Sequence, residues 1–327
     1  MMNRKLIIAF FISVGGLTAC QKDLDEFVPD PGQLNGPDTT WYASVAASAP
    51  INDLKNQLKI SSYNDSIQVA SNMSYITLPS GLQCYFPANG LTTNTGQTLT
   101  GTAKVELVHI KTKGDMIRLG KPTTSNGRLL VNGNETFVRV KNDTAELQFH
   151  PGVKMTLKYP DQPISTQMKF FVGDETNAAQ FNWLPNPDPG INTVGFTQTG
   201  YEIQTNRLRW TSTCYFYDTT GIARVNVKAD LAAYFTNANT IAYTVFRDFR
   251  SVVGMYGDAS NKKFSTGKLP VGKLITVVVI SKQGNDLFLG YENVTTASPT
   301  SGPGEQTVTV KPIKKSLADI IAFLNTL

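Results

Sequence analysis

From about residue 66 onward, apolar and polar positions alternate in short runs that Gly, Pro, Asn or Asp interrupt at close intervals. A period of two with turn residues between runs is the pattern of half-buried β-strands. It predicts strands over 66–70, 75–78, 83–86, 101–112, 136–141, 144–149, 153–158 and 168–172. A second series is expected over 200–205, 207–217, 222–229, 240–247, 274–281, 287–291 and 306–312. Within 102–110, Ala103, Val105, Leu107 and His109 share one face, and Thr102, Lys104, Glu106 and Val108 share the other. The run 274–280 is apolar at nearly every position, which predicts a central strand buried on both faces. Asn142-Asp143, between two strand runs, tolerates positive φ and predicts a two-residue hairpin turn.

Helical spacing is confined to two places. Ile51, Leu54 and Leu58 predict a brief helix within 50–60. Near the end, Ser316 and Asp319 form an S-x-x-D cap, and Leu317, Ile320, Ile321 and Leu324 fall on one face. A short first strand is expected at 41–45. Pro185, Pro187 and Pro189 cannot continue a central strand or a helix, so 185–190 reads as a linker. The expected fold is all-β: two antiparallel β-sandwich domains, 41–184 and 191–327, the second carrying a short C-terminal helix.

The first forty residues read differently. Arg4 and Lys5 precede an apolar run over 6–14, and Leu17-Thr18-Ala19-Cys20 follows. The run is shorter than the roughly 20 residues that a spanning helix needs, and Gly15-Gly16 breaks it, so 1–19 reads as an export signal. The pattern resembles the bacterial lipoprotein signal. That resemblance implies cleavage before Cys20, acyl chains on Cys20, and a membrane partner through that anchor. Gln21-Lys22-Asp23-Leu24-Asp25-Glu26 is similar to the export tag of Bacteroidetes surface lipoproteins, which implies the outer membrane and the cell surface. The bland reading of the same residues is a solvated acidic tether. Pro29, Pro31, Gly32, Gly36 and Pro37 extend that tether over 20–40.

A second resemblance is carried by Gly81-Leu82-Gln83-Cys84-Tyr85-Phe86-Pro87-Ala88-Asn89-Gly90-Leu91 and then Gly101-Thr102-Ala103-Lys104-Val105-Glu106-Leu107. Residues 80–107 resemble the strand–turn–strand of the β-sandwich shared by ankyrins, netrin receptors and zonula-occludens proteins. In physical terms, Pro87 stops one strand and the turn after it returns Leu91 to the core. This likeness bears on fold and lineage and implies no activity.

Composition narrows the function classes. Without 1–19 the chain carries 28 basic and 25 acidic residues, a balance of +3 with no clustered stripe, so no nucleic-acid partner is expected. Charged residues make up 17% of the chain, below the usual quarter, as in exported β-proteins with polar loops. The two histidines, His109 and His150, lie 41 residues apart, and no metal-ligand spacing, P-loop, dinucleotide fingerprint or nucleophile elbow is present. No catalytic residue, cofactor or metal is therefore expected, and an enzyme would have to assemble a dispersed site from distant strands. Cys84 and Cys214 sit in aromatic strand contexts. They could bridge if their Cα atoms came within about 7 Å, or act singly as small buried hydrophobes.

Binding is the more natural expectation. Sugar C–H faces stack on exposed rings, and Trp183, Trp41 and Tyr256 are the candidate platform residues. Trp183 is singled out because it stands beside the proline-rich segment, whereas Trp210 is expected to be buried. The expected function is a non-catalytic surface module for glycan or for an outer-membrane protein partner. A structural component of an envelope complex is the alternative, and a hydrolase with a dispersed site the weakest.

Overall fold

The alternation at 101–110 becomes one strand, Gly101–Ile110, whose two faces serve two different cores. Ala103, Val105 and Leu107 enter one cluster of buried residues, while Val108 and Ile110 enter another. The computed structural model describes residues 38–327 apart from 70, 71, 144, 178, 179 and 300–303. The expected signal 1–19, Cys20 and nearly all of the tether lie outside the described residues. Residues 39–327 form one compact unit.

Gly101–Ile110 belongs to a central sheet whose main path runs Tyr63–Val69, Gly101–Ile110, Arg128–Asn142, Arg209–Phe216, Lys169–Asp174 and Asn182–Pro185. An outer sheet, ordered Thr193–Phe196, Gly200–Thr205, Met155–Pro160, Gln83–Phe86 and Ser74–Thr77, covers one face. Gln83–Phe86 stops at Pro87, and Leu91 returns to the core with only 1% of its surface exposed. The third, C-terminal sheet has eight strands running from Glu305–Thr309 and Arg224–Asp230 through Leu274–Gln283 to Asp286–Thr295 and Ile313–Lys315. Leu274–Gln283 is central and doubly buried, as its apolar run predicts. Val277 and Val279 enter one core, and Val278 and Ile280 the other.

Three cores separate these layers. The first lies between the outer and central sheets. The third sheet folds over the last core, bringing Val227 and Val308 to Val277 and Val279. Between the central and C-terminal sheets lies a shared core that also takes all three described helices. Helix α1, Pro50–Leu58, begins on a proline at a position where no backbone N–H is needed, and it buries Leu54 and Leu58 one turn apart. Helix α2, Lys113–Leu119, is closed by a Thr112–Asp115 capping box and by Gly120 at φ +61. Helix α3, Leu317–Leu324, uses the Ser316–Asp319 box read from the sequence and buries Ile320 and Leu324.

The all-β class holds, with several differences of detail. Gly200–Thr205 and Arg209–Phe216 pair with strands of the first half, and Thr193–Phe196 pairs with Gly200–Thr205, so the two sandwiches divide after Phe216 and not at 185–190. The prolines end the edge strand Asn182–Pro185, and the chain then crosses to the edge of the outer sheet. That crossing is itself ordered, because Asn186 Nδ2 donates to the Asn192 carbonyl at 2.8 Å and Arg207 pairs with Asp188 at 2.8 Å. A sheet-to-sheet switch and a domain linker both need strand breakers, and composition alone does not separate them. Residues 41–45 form no strand, since Tyr42 is instead held by reciprocal bonds with the Asn237 side chain. Arg224–Asp230 and Glu305–Thr309 pair in parallel, an exception to the antiparallel expectation. The hairpin expected at Asn142-Asp143 turns one residue later, since Asn142 pairs with Ala145 and Asp143 takes φ +49.

Candidate functional site

Asn126 and Gly127 both take positive φ, +48° and +75°, at the tip of a tight hairpin between Thr124–Ser125 and Arg128–Asn142. Asn-Gly is the pair that a type I′ turn selects. The tip is fastened sideways to the central sheet. The Asn126 N–H donates to Asn182 Oδ1 at 2.8 Å, and Asn182 Nδ2 donates back to Asn126 Oδ1 at 2.9 Å.

Two open cavities meet at this hairpin and share Gly127, Leu129 and Lys268. The first, about 480 Å³, is lined by Tyr256 and Phe181 with the amide side chains of Asn126, Gln180 and Asn182. The second, about 580 Å³, lies against Phe216, Tyr217 and Asp218, with Arg128 stacked at 3.8 Å over the Phe216 ring. Both volumes lie within the range of ordinary small-ligand sites. Tyr256 presents a ring that is 38% exposed, and partial burial raises its phenol above the usual range, so it remains a neutral hydroxyl. Asp174, also in the lining, is held below the usual carboxylate range by hydrogen bonds from the Thr176 hydroxyl and backbone N–H. The first cavity therefore offers rings, neutral amides, one carboxylate and one lysine, and the second adds Asp218, Arg128 and Arg224.

Of the three candidate platform residues, Tyr256 lines this groove. Trp41 lies elsewhere, 5.0 Å from the Phe264 ring and against Gly257. Tyr256 and Gly257 are successive residues of one strand, so their outward directions are opposite and Trp41 cannot join Tyr256 in one site. It lines a separate cavity of about 310 Å³ with Phe235 and Lys228. Trp183 is fully buried in the shared core, edge-on to Phe181 at 4.9 Å. Its place on Asn182–Pro185 turns it inward while Asn182 reaches the groove, which corrects its reading as a displayed platform.

In comparison with known proteins, no family model and no curated protein sequence matches the chain.

Cys84 and Cys214 are both free and fully buried, so of the two alternatives for this pair the structure takes single buried hydrophobes and not the disulfide. Cys84 faces the core between the outer and central sheets, whereas Cys214 faces the shared core on the far side of the central sheet. Burial pushes the Cys84 thiol up to about 12 and raises Cys214 as well, so both are poor nucleophiles.

Glu135, which the sequence reading did not single out, is fully buried at the middle of Arg128–Asn142. Desolvation raises its carboxyl well above the usual range, against smaller opposing effects of Lys121 and Arg250. Asn132 Nδ2 donates to its Oε1, and Oε2 has no partner. It lines none of the cavities above. His109 accompanies the inner face of its strand as expected, with its Nδ1 2.7 Å from the Ser80 hydroxyl.

Proposed function

We propose that the chain is a non-catalytic lipoprotein of the outer membrane, anchored through acyl chains on Cys20, whose hairpin groove binds neutral glycan. The observation that carries the glycan reading is the pairing of the exposed Tyr256 ring with the amides of Asn126, Gln180 and Asn182 around one 480 Å³ cavity. Rings take the C–H face of a sugar, while amides both donate to and accept from its hydroxyls. Net charge in such a groove is small, which fits a neutral ligand better than a polyanion. The likeness of residues 80–107 to the sandwich of ankyrins and netrin receptors belongs to the same proposal, as a statement of lineage.

A glycan array with the lipid-free protein tests the binding. Retained glycans are expected to lose about tenfold or more in affinity on Tyr256→Ala. Binding that is flat across the array, or indifferent to Tyr256→Ala, removes the glycan reading. Detergent partitioning of Cys20→Ser tests the anchor separately, because loss of acylation moves the protein to the aqueous phase.

A second reading, docking to a neighbouring outer-membrane protein, draws support from the edge strand Ser74–Thr77 of the outer sheet. Tyr75 there is 66% exposed and stacks on Tyr85, beside an exposed Met73. Exposed apolar residues at an open sheet edge are where another chain adds on. Cross-linking from position 75 in intact cells separates this reading from glycan capture.

A further inference from the structure

A separate cleft of about 310 Å³ shares no lining residue with the hairpin groove. Its floor is apolar and buried, made by Phe137, Trp210, Ile241 and Tyr243. Its rim is cationic. Lys55 and Lys59 come from α1 and the residue after it, Arg118 from α2, and Lys121 from the segment that follows α2. Arg139 and Arg209 also line the cleft, as do Glu106 and Glu175, and these charges offset one another: Arg139 pairs with Glu106, and Arg209 with Glu175 and with Glu146. Among the described residues, Lys55, Lys59, Arg118 and Lys121 form no ion pair with any carboxylate.

The C-terminal ends of α1 and α2 favour nearby positive charge, and Arg118 Nε donates to the Leu58 carbonyl at 2.9 Å. That accounts for cations close to helix ends. It does not account for a lysine drawn in over the floor. Lys121 Nζ stands 3.7 Å from the centroid of Phe181 and 4.8 Å from that of Trp210. Burial lowers its ammonium to about 8, Glu175 and Glu135 work the other way to a smaller extent, and neither carboxylate forms an ion pair with it. An anion entering the cleft supplies that missing partner, and its apolar body covers the aromatic floor.

We propose that this cleft binds a small amphiphilic anion, a carboxylate or sulfate carried on an aromatic or alicyclic body. At the roughly 30 Å³ that one water takes up in the liquid, the cavity holds a ligand of about ten non-hydrogen atoms. The cleft is independent of the glycan reading and stands or falls by its own experiment.

The probes are benzoate and its neutral counterpart benzyl alcohol, which fit that volume, titrated by calorimetry into the folded protein, with tryptophan fluorescence as a second readout. Saturable binding of the carboxylate is expected, about tenfold or more tighter than that of the alcohol. Lys121→Gln and the fully peripheral Lys59→Gln are each expected to weaken the carboxylate several-fold and to leave the alcohol unchanged, whereas Tyr256→Ala leaves both unchanged. Equal affinity for the two probes, absence of saturable binding, or indifference of the carboxylate to both lysine substitutions in folded variants overturns the proposal.

Discussion

Acidification is expected to weaken the fold through His109 before carboxylates contribute much. The imidazole is held at about 4 against an ordinary 6.5, chiefly by burial and further by the nearby charges of Lys111 and Arg250. A side-chain hydrogen bond with Asn134 works the other way. Because the folded state resists the proton, the unfolded state binds it first, so stability is complete above about 6.5 and is lost as pH falls toward 4. The fall from 6.5 to about 4 corresponds to about 3 kcal/mol in total, of which about 2 kcal/mol falls between pH 7 and 5. Urea denaturation at about pH 7, 6 and 5 measures it. The decisive comparison is with His109→Gln, which keeps a hydrogen-bonding group toward Ser80 but cannot titrate. The difference in stability between the two proteins should shift by about 2 kcal/mol across that range. The chain has two histidines, so an NMR titration assigns the imidazole directly. An imidazole pKa above about 6, or parallel pH profiles for the two proteins, refutes the reasoning.

Glu135 should act in the opposite sense: its raised carboxyl stabilises the fold most below the ordinary 4.5 and loses that contribution as pH climbs through the folded value, so Glu135→Gln should flatten the decline in melting temperature that sets in above 4.5. An unaltered decline would remove Glu135 as its source. Gly114→Ala should cost about 3 kcal/mol in chemical denaturation, because a Cβ there falls on the backbone carbonyl of Leu324 where α2 meets α3. A neutral result would mean that α3 yields easily. Cys84 and Cys214 should escape alkylation in the native protein and both label in denaturant, read by peptide mass spectrometry. Native labelling of either would contradict their burial.

Much of the fold could be read locally, because its signals are local. Leu274–Gln283 announced itself by being apolar on both faces, and α3 by a Ser316–Asp319 cap that directly precedes and overlaps its stripe. The Thr112–Asp115 box of α2 was equally legible in principle, yet its helix is too short for a periodic stripe to draw attention. Trp183 was misjudged for a different reason. Its proline neighbours do mark the surface, but which way a strand residue points depends on register, and register is decided by distant partners. The same holds for the site. Asn126, Asn182, Tyr256 and Lys268 come from four separate segments, and nothing in their own surroundings foretells that they line one groove. Only the Asn-Gly turn left a local trace.

The core shared by the central and C-terminal sheets draws its side chains from Leu54 at one extreme to Leu324 at the other. A polypeptide emerging amino-terminus first can pair the early strands, but it cannot seal that layer until α3 has appeared and settled against Gly114. Completion of that core thus waits on α3. Until then the apolar faces of α1 and α2 stay wet, and the layer they belong to stays open.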